Sequence, residues 1–212
     1  MSVSCIMRCK NEERWIGHAI QSFLDFFPDG ELIIVDNNST DASMDIVSLF
    51  DYANIKKVKI DEYTPGRALN LGVKSASNKN ILVQSAHCVL TTFNKSEVFK
   101  NLEKYPCIFG KQTPFYLGKR ITKRYVWSHF TESREVNMFS EIENRQFLHN
   151  ALCVYTKEIL TNLPVDERLS GKEDRYWAKT LIDSGKSYLY DPSLMSCDHH
   201  YTDNGNTWKG IG

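Results

Sequence analysis

With 212 residues and 26 basic and 26 acidic side chains, the chain is long enough for one domain with a buried core and has no net charge. The neutral balance argues against a nucleic-acid-binding protein, whose domain normally carries a basic excess. No apolar run approaches the roughly 20 residues of a membrane span, and the first residues lack the order of a secretion signal. The six cysteines follow no framework spacing, which favours reduced thiols and a cytoplasmic location.

The first half of the chain alternates between short apolar runs and amphipathic stretches. Each apolar run ends in a polar turn, and each following stretch repeats its apolar residues at helical spacing. This alternation predicts a mostly parallel α/β sheet flanked by helices. Strands are predicted over residues 3–7, 32–35, 55–60 and 81–84, and helices over 15–27, 44–50 and from about 65 onwards.

Polar side chains follow the first two predicted strands. Arg8, Asn11 and Glu12 come after the first strand, and Asp36 and Asn38 after the second. The carboxyl ends of parallel strands meet at one edge of a sheet, where α/β proteins bind ligands. A carboxylate there suits ribose hydroxyls or a base N–H, and the helix that follows favours anions. These residues therefore predict a nucleotide pocket, with a capped loop that binds no ligand as the alternative.

Two later segments add candidates. Arg67 and Asn70 stand at the start of the third predicted helix, where they could reach a base or a phosphate. A solvated arginine and a capping asparagine explain the same two residues equally well. The triplet Ser85-Ala86-His87 lies at the tip of the fourth strand.

The second half is less regular. Residues 113–145 mix aromatic with basic side chains and could line an acceptor groove or touch an anionic lipid surface. An amphipathic helix with a solvated basic face is the commoner explanation of such a stretch. Glu173 and Asp174 open another predicted helix, where the helix dipole favours acidic residues whatever their role. The remaining elements are a helix over 96–102 and strands over 107–112, 148–155 and 187–190.

The order of these motifs resembles a family 2 glycosyltransferase with the GT-A fold over nearly the whole chain. The resemblance implies one domain over residues 1–212, with a nucleotide-sugar-binding half over 1–112 and an acceptor and catalytic half over 113–212. Within the family, the sequence is similar to the rhamnosyltransferase-like branch that builds bacterial surface polysaccharides. The motifs are R-C-K-N-E-E, V-D-N-N-S-T-D, G-R-A-L-N-L-G, S-A-H, G-K-E-D-R-Y-W-A and D-H-H-Y.

The resemblance implies a reaction and its residues. A nucleoside-diphosphate sugar gives a hexose or deoxyhexose to a hydroxyl of a saccharide or lipid-linked saccharide, usually with inversion. By resemblance, Asp174 is the general base, and Glu173 orients the acceptor or the base. The resemblance leaves the oligomeric state open and allows peripheral association with the inner face of the membrane. The nucleotide sugar is held, by resemblance, by Arg8, Asn11, Glu12, Asp36, Asn38, Arg67, Asn70, Ser85 and Ala86.

The chain departs from the family pattern at one place. The family has an Asp-X-Asp triplet where this chain has Ser85-Ala86-His87, so the usual metal-binding carboxylate is replaced by His87. An imidazole binds Mn²⁺ and other transition ions better than Mg²⁺. The late His199 or His200 matches the position where a second protein ligand often returns to the metal. The expected cofactor is a divalent cation, with Mn²⁺ preferred, and metal-independent catalysis is the alternative.

Two other functional classes remain open. A nucleotidyltransferase also uses an α/β nucleotide pocket, but it would normally show a Gly-rich basic phosphate loop, and R-C-K-N-E-E contains no glycine. A catalytically inactive relative that serves as a nucleotide-sugar-binding or scaffold subunit would explain the missing aspartates. The intact Glu173-Asp174 pair argues against that second class.

Overall fold

The computed structural model describes residues 2–51, 53–121 and 125–201. The elements of the first half are β1 (Ser4–Cys9), α1 (Ile16–Phe26), β2 (Glu31–Asp36), α2 (Ser43–Ser48), β3 (Ile55–Lys59), α3 (Pro65–Ser75) and β4 (Asn80–Gln84). The four strands lie in the order β3-β2-β1-β4, and all neighbours are parallel, as the alternating pattern predicted. Their carboxyl ends therefore meet at one edge of the sheet.

The second half completes this sheet and adds a smaller one. Its elements are β5 (Cys88–Phe93), α4 (Lys95–Leu102), β6 (Cys107–Phe109), β7 (Lys111–Tyr116), β8 (Lys119–Arg120), a 3₁₀ helix (Tyr125–His129), β9 (Glu135–Val136), β10 (Phe139–Ser140), β11 (Arg145–Gln146), β12 (Leu152–Thr156), α5 (Lys157–Asn162), α6 (Glu173–Asp183), β13 (Leu189–Tyr190) and β14 (Met195–His200). Beyond β4 the main sheet continues with β12, β6, β13 and β9, and β12 runs antiparallel to both of its neighbours. The smaller sheet has the order β5-β14-β7-β8.

The main sheet is covered by helices on both faces. Along β1, Cys5 and Met7 belong to the apolar cluster under α1, α2 and α4, whereas Ile6 belongs to the cluster under α3, α5 and α6. This alternation follows from the two-residue period of a strand. Within the described part of the chain, no helix has the length and apolar character needed to cross a membrane.

The single strand predicted over residues 107–112 is wrong, because the structure divides it at Gly110. A Cβ at Gly110 would lie 2.4 Å from the backbone oxygen of Met195. Without a side chain, the chain can approach β14 closely and pass from the main sheet (β6) to the smaller one (β7). The amphipathic helix favoured for residues 113–145 is also wrong: the described part contains short strands and a 3₁₀ helix. Lys123 and Arg124 of that basic stretch lie outside the described residues.

A buried carboxylate, Glu31, anchors the edge of the sheet opposite the strand tips. Its oxygens accept from Lys56 Nζ at 2.5 Å, from the Ser77 backbone N–H at 2.7 Å and from the Ser4 hydroxyl. Burial opposes ionisation, but the donors from Lys56, Ser4 and Ser77 outweigh it and lower the pKa of Glu31 from 4.5 to about 2. The side chain is therefore charged at neutral pH.

We expect Glu31→Gln to lower the free energy of unfolding by about 2–3 kcal/mol at pH 7, from the size of this pKa difference. Because the folded-state pKa is depressed, the contribution is fully present above pH 4.5 and is lost as the pH falls towards 2. Urea denaturation of both proteins at pH 7 and pH 3 measures the difference. Equal penalties at the two pH values would assign the loss to packing instead of charge.

Candidate active site

The predicted site residues of the first half gather at the carboxyl edge of the sheet. Arg8 lies next to the end of β1, Asp36 is the last residue of β2, and His87 follows β4 by three residues. A cavity of about 150 Å³ opens beside Arg8 and His87, and Asp36 is not among its lining residues. It is lined by Arg8, Cys9, Lys10, Glu12, Tyr63, Ser85 and His87.

The loops after β1 and β2 are hydrogen-bonded to each other. Asn11 accepts from the Thr40 backbone N–H at 2.8 Å, and its own N–H donates to Ser39 Oγ at 3.1 Å. Asp36 Oδ1 accepts from the Ser39 N–H at 3.1 Å. Asn11 and Asn38 have φ values of 53° and 52°, a left-handed conformation that asparagine adopts more readily than most residues. These predicted nucleoside-binding residues therefore also fix the shape of the loops.

Arg67 and Asn70 are directed towards another segment of the chain. Arg67 pairs with Glu62 at 2.6 Å and with Glu167 at 3.5 Å. Asn70 donates to the Val165 carbonyl at 2.9 Å and accepts from the Val165 N–H at 3.1 Å. The structure thus places these two side chains against residues 165–167 and does not bring them to the cavity at the strand tips. Their role in nucleotide binding stays a prediction that these contacts do not support.

Only part of the triplet Ser85-Ala86-His87, at the tip of β4, is accessible at the cavity. Ala86 is buried, and the Ser85 backbone N–H donates to the carbonyl of Ala151 at 3.0 Å. His87 reaches the cavity and holds its Nδ1 2.9 Å from Glu12 Oε1. Glu12 was predicted to hold the nucleoside, but the structure uses one of its oxygens to orient His87.

The two late histidines lie on opposite faces of β14. His199 is buried, and its ring centroid lies 4.9 Å from that of His87. His200 instead stacks on Trp15, with 3.7 Å between the ring centroids. Successive side chains of a strand point to opposite faces, so only one of the two rings can face the His87 ring, although the His200 backbone N–H donates to the His87 carbonyl at 2.9 Å. Of the two histidines predicted as a second metal ligand, the structure brings His199 to His87 and turns His200 away.

The pair His87 and His199 fits a transition-metal site. One ligand atom each from His87, His199 and Cys88 lie within 4.8 Å of one another. Burial, with added repulsion from His87 and His149, lowers the pKa of His199 well below its usual value, so the ring is neutral and able to ligate. Burial raises the pKa of the Cys88 thiol, which favours the protonated form that is a poor ligand. The donor set is therefore two imidazoles, which suit Mn²⁺ and later transition ions.

The acidic pair at the start of α6 reaches the same edge of the sheet. Glu173 Oε1 pairs with Arg8 Nη1 at 3.1 Å. Asp174 is 6% exposed; its Oδ2 accepts from the Asn150 N–H at 3.0 Å and its Oδ1 from Arg175 Nη1 at 3.0 Å. Arg8 lines the cavity with His87 and contacts the residue before Asp174, but neither Asp36 nor Asp174 is among the lining residues. The convergence of Asp36, His87 and Asp174 on one cleft therefore stays a prediction.

Asp174 is ionised at neutral pH. Burial favours its protonated form, but the positive charge of Arg175 and the N–H donor of Asn150 outweigh it, so the pKa of Asp174 is lowered. Arg175 is itself held by Glu143 Oε1 at 3.2 Å and lies 4.8 Å from the ring of Phe147. Oδ1 of Asp174 accepts from both the backbone N–H and Nη1 of Arg175, whereas Oδ2 accepts only from the Asn150 N–H among the described residues, so Oδ2 keeps a lone pair for a further donor.

Several residues at the site carry no sequence signal. Gln112 contacts both His199 and the carbonyl of His149. Trp127 Nε1, His149 Nδ1 and Asn150 Nδ2 are buried without a hydrogen-bond partner among the residues that the structure describes. Trp127 and His149 lie beside His199, with 5.3 Å and 5.8 Å between the ring centroids. Buried polar atoms normally have partners, which a water or a bound molecule can supply.

Comparison with known proteins agrees with this geometry. The family profile described as glycosyl transferase family 2 matches residues 4–163. No curated protein matches the chain. Among solved structures, residues 1–349 of TarS from S. aureus in complex with UDP-GlcNAc match with a TM-score of 0.74 and 18% identity, over 98% of this chain and 61% of that one. The mannosyltransferase PcManGT from Pyrobaculum calidifontis, in complex with GDP-Man and Mn²⁺, matches with a TM-score of 0.69 and 15% identity, over 98% of this chain and 59% of that one.

These matches confirm the predicted architecture. The chain spans about three fifths of the length of these two solved relatives. At such low identity the structural likeness establishes the fold, and the profile, which covers most of the chain, establishes the family. The protein has the GT-A fold and belongs to glycosyl transferase family 2.

Proposed function

We propose that the protein transfers a sugar from a nucleoside-diphosphate sugar to an acceptor hydroxyl with inversion at the anomeric carbon. The observation that carries the proposal is the position of an ionised, buried Asp174 at the same sheet edge as the imidazoles of His87 and His199. Arg8 connects the two groups, since it lines the cavity with His87 and pairs with Glu173.

In this proposal Asp174 is the general base. A sugar hydroxyl is a poor nucleophile, so a carboxylate within hydrogen-bond reach takes its proton as the hydroxyl attacks the anomeric carbon. The same step breaks the bond to the diphosphate, so no enzyme nucleophile is needed and the configuration inverts. Both carboxylates are paired with an arginine, Glu173 with Arg8 and Asp174 with Arg175, so the choice of Asp174 as the base follows the sequence motif.

His87 and His199 would hold a divalent ion, and Mn²⁺ suits this donor set. Such an ion would neutralise the charge that develops on the departing diphosphate. PcManGT, the relative of the same fold, was solved with Mn²⁺ and GDP-Man. In a metal-independent reaction, Arg8 and Lys10, which line the same cavity, would take over that role.

The nucleoside would lie along the loops after β1 and β2, near Asn11, Asp36 and Asn38. This assigns donor binding to the half over residues 1–112 and the acceptor to the half over 113–212. The solved relatives contain UDP-GlcNAc or GDP-Man, which favours UDP- and GDP-sugars as first candidates. A deoxyhexose donor, an acceptor in surface polysaccharide synthesis and peripheral membrane attachment stay predictions of the sequence.

A panel of UDP-, GDP- and dTDP-sugars tests the proposal in two measurements. A bound donor increases the free energy of unfolding by RT ln(1 + [L]/Kd) and so raises the melting temperature. A coupled assay then measures release of the nucleoside diphosphate with and without Mn²⁺. The anomeric configuration of the product, read by NMR, tests inversion. Donor binding without turnover in the presence of any saccharide acceptor would favour the binding-subunit alternative.

We expect His87→Ala to abolish stimulation by Mn²⁺ and to weaken donor binding, because one of the two imidazoles is removed. His129→Ala is the matched control, since that ring stacks on Phe147 at 3.9 Å and makes no contact with His87 or His199 among the ring contacts of the described residues. Titration of donor and of Mn²⁺ by calorimetry measures both effects. A His87→Ala protein that responds to Mn²⁺ like the parent would remove His87 from the metal site.

A further inference from the structure

Each of the two facing histidines is hydrogen-bonded, through Nδ1, to a side chain from a different element. Glu12 Oε1, in the loop after β1, lies 2.9 Å from Nδ1 of His87. Gln112 Oε1, on β7, lies 3.1 Å from Nδ1 of His199. Both supporting residues are buried, with 8% of Glu12 and 2% of Gln112 exposed.

These contacts determine which ring nitrogen carries the proton. The Gln112 amide donates through Nε2 to the carbonyl of His149 at 3.2 Å, so its oxygen faces His199. A carbonyl oxygen only accepts, and the same is true of an ionised Glu12. In each histidine Nδ1 is therefore the nitrogen that donates to the support, and Nε2 is the nitrogen left for a ligand.

We infer that Glu12 and Gln112 are positioning residues that prepare His87 and His199 as a pair of Nε2 ligands for one transition-metal ion. The ligand atoms of the cluster lie within 4.8 Å of one another, and two imidazoles about 2.1 Å from a shared ion are about 3–4 Å apart, so a small closure suffices. The inference rests on the proposed function and extends it, because it gives Glu12 a role other than nucleoside binding.

The loop after β1, which carries Glu12, is itself held in place by a hydrogen bond. The Glu12 N–H donates to Ser43 Oγ at 2.7 Å, which ties the loop to the start of α2. Glu12 Oε2 is buried and has no hydrogen-bond partner in the described part of the chain, so one acceptor remains for a ligand. Carboxylate and amide groups behind ligating histidines typically change metal affinity by about 10–100-fold when they are removed.

Direct metal binding tests the inference without relying on activity. Mn²⁺ affinity is measured by electron paramagnetic resonance, and Co²⁺ absorption serves as a geometric probe, each with and without UDP or GDP. We expect Glu12→Ala and Gln112→Leu to weaken Mn²⁺ binding about 10–100-fold and to alter the Co²⁺ spectrum. Glu12→Gln and Gln112→Glu keep an acceptor at the same place, so these two variants should bind Mn²⁺ with most of the affinity of the parent.

A neighbouring histidine supplies the matched control. His200→Gln changes the next residue of β14, which stacks on Trp15, and should leave Mn²⁺ affinity within about twofold of the parent. The inference is overturned if Glu12→Ala and Glu12→Gln both bind Mn²⁺ like the parent while His87→Ala has lost it. It is also overturned if the parent binds no Mn²⁺ or Co²⁺ even with a nucleoside diphosphate present.

The outcome is separable from that of the proposed function. Metal binding that depends on both histidines and on their supports, in a protein that transfers no sugar, would sustain this inference and refute the enzyme. Sugar transfer by a protein whose Mn²⁺ affinity is unchanged in the Glu12 and Gln112 variants would support the enzyme and refute this inference. If Gln112→Leu fails to fold, Gln112→Glu and the Glu12 variants still decide the question.

Discussion

Asp174→Asn should lower the rate of sugar transfer by about 100-fold or more while donor affinity stays within about twofold of the parent. The amide cannot accept a proton, and its single oxygen can replace only one of the two carboxylate oxygens that bond to the Asn150 N–H and to Arg175. Donor affinity is expected to hold, because Asp174 is not among the residues that line the cavity and is proposed to contact the acceptor. Single-turnover kinetics with saturating donor and acceptor measure the chemical step.

A matched substitution on the same helix is the control. Asp183→Asn makes the same chemical change at an exposed residue that pairs with Lys179 at 2.6 Å, so transfer should be unchanged. The pH profile adds an independent readout. A base must be ionised to act, and the pKa of Asp174 is lowered, so activity should fall only at pH values below the usual range for aspartate. Near-normal turnover of Asp174→Asn would remove this residue from the role of base.

The parallel half of the fold could be predicted because its signals are local. Strands β1, β2 and β4 each contain a short apolar run, β3 alternates apolar with basic residues, and Thr64 and Pro65 mark the start of α3 as a cap and a first helical residue. Strands β5 and β14 were missed because they carry polar and sulfur-containing residues and become strands by pairing with each other. The break at Gly110 depends on contact with Met195, which lies far along the chain.

The site was predictable in its residue types but not in its contacts. The late histidines stood out by composition, yet only the pairing of β14 with β5 and β7 determines that His199 and not His200 faces His87. Glu12 looked like a ligand-binding carboxylate because it follows a strand tip. Its partner His87 lies 75 residues away, and no pattern in the sequence connects the two. Gln112 and Asn150 had no signal because their roles depend on tertiary contacts.

Arg8→Met should both destabilise the protein and abolish sugar transfer, because Arg8 is the contact between β1 and α6. Its guanidinium pairs with Glu173 at 3.1 Å and donates to the carbonyl of Pro65 at 3.4 Å. Only 18% of the Arg8 side chain and 8% of the Glu173 side chain are exposed. Removing one partner of a buried ion pair typically costs about 3–5 kcal/mol, since it leaves the other charge unpaired.

The double variant Arg8→Met with Glu173→Leu separates stability from function. Replacing both charges removes the unpaired carboxylate, so urea denaturation should show that the double variant recovers most of the stability lost by Arg8→Met. Sugar transfer should not recover, because Arg8 also borders the donor cavity and its pairing with Glu173 fixes the start of the helix that carries Asp174. If Arg8→Met unfolds like the parent, the pair does not hold α6 at the sheet edge. If the double variant regains transfer, the position of Asp174 is set by Asn150 and Arg175 alone, and the cation at the tip of β1 has no part in the reaction.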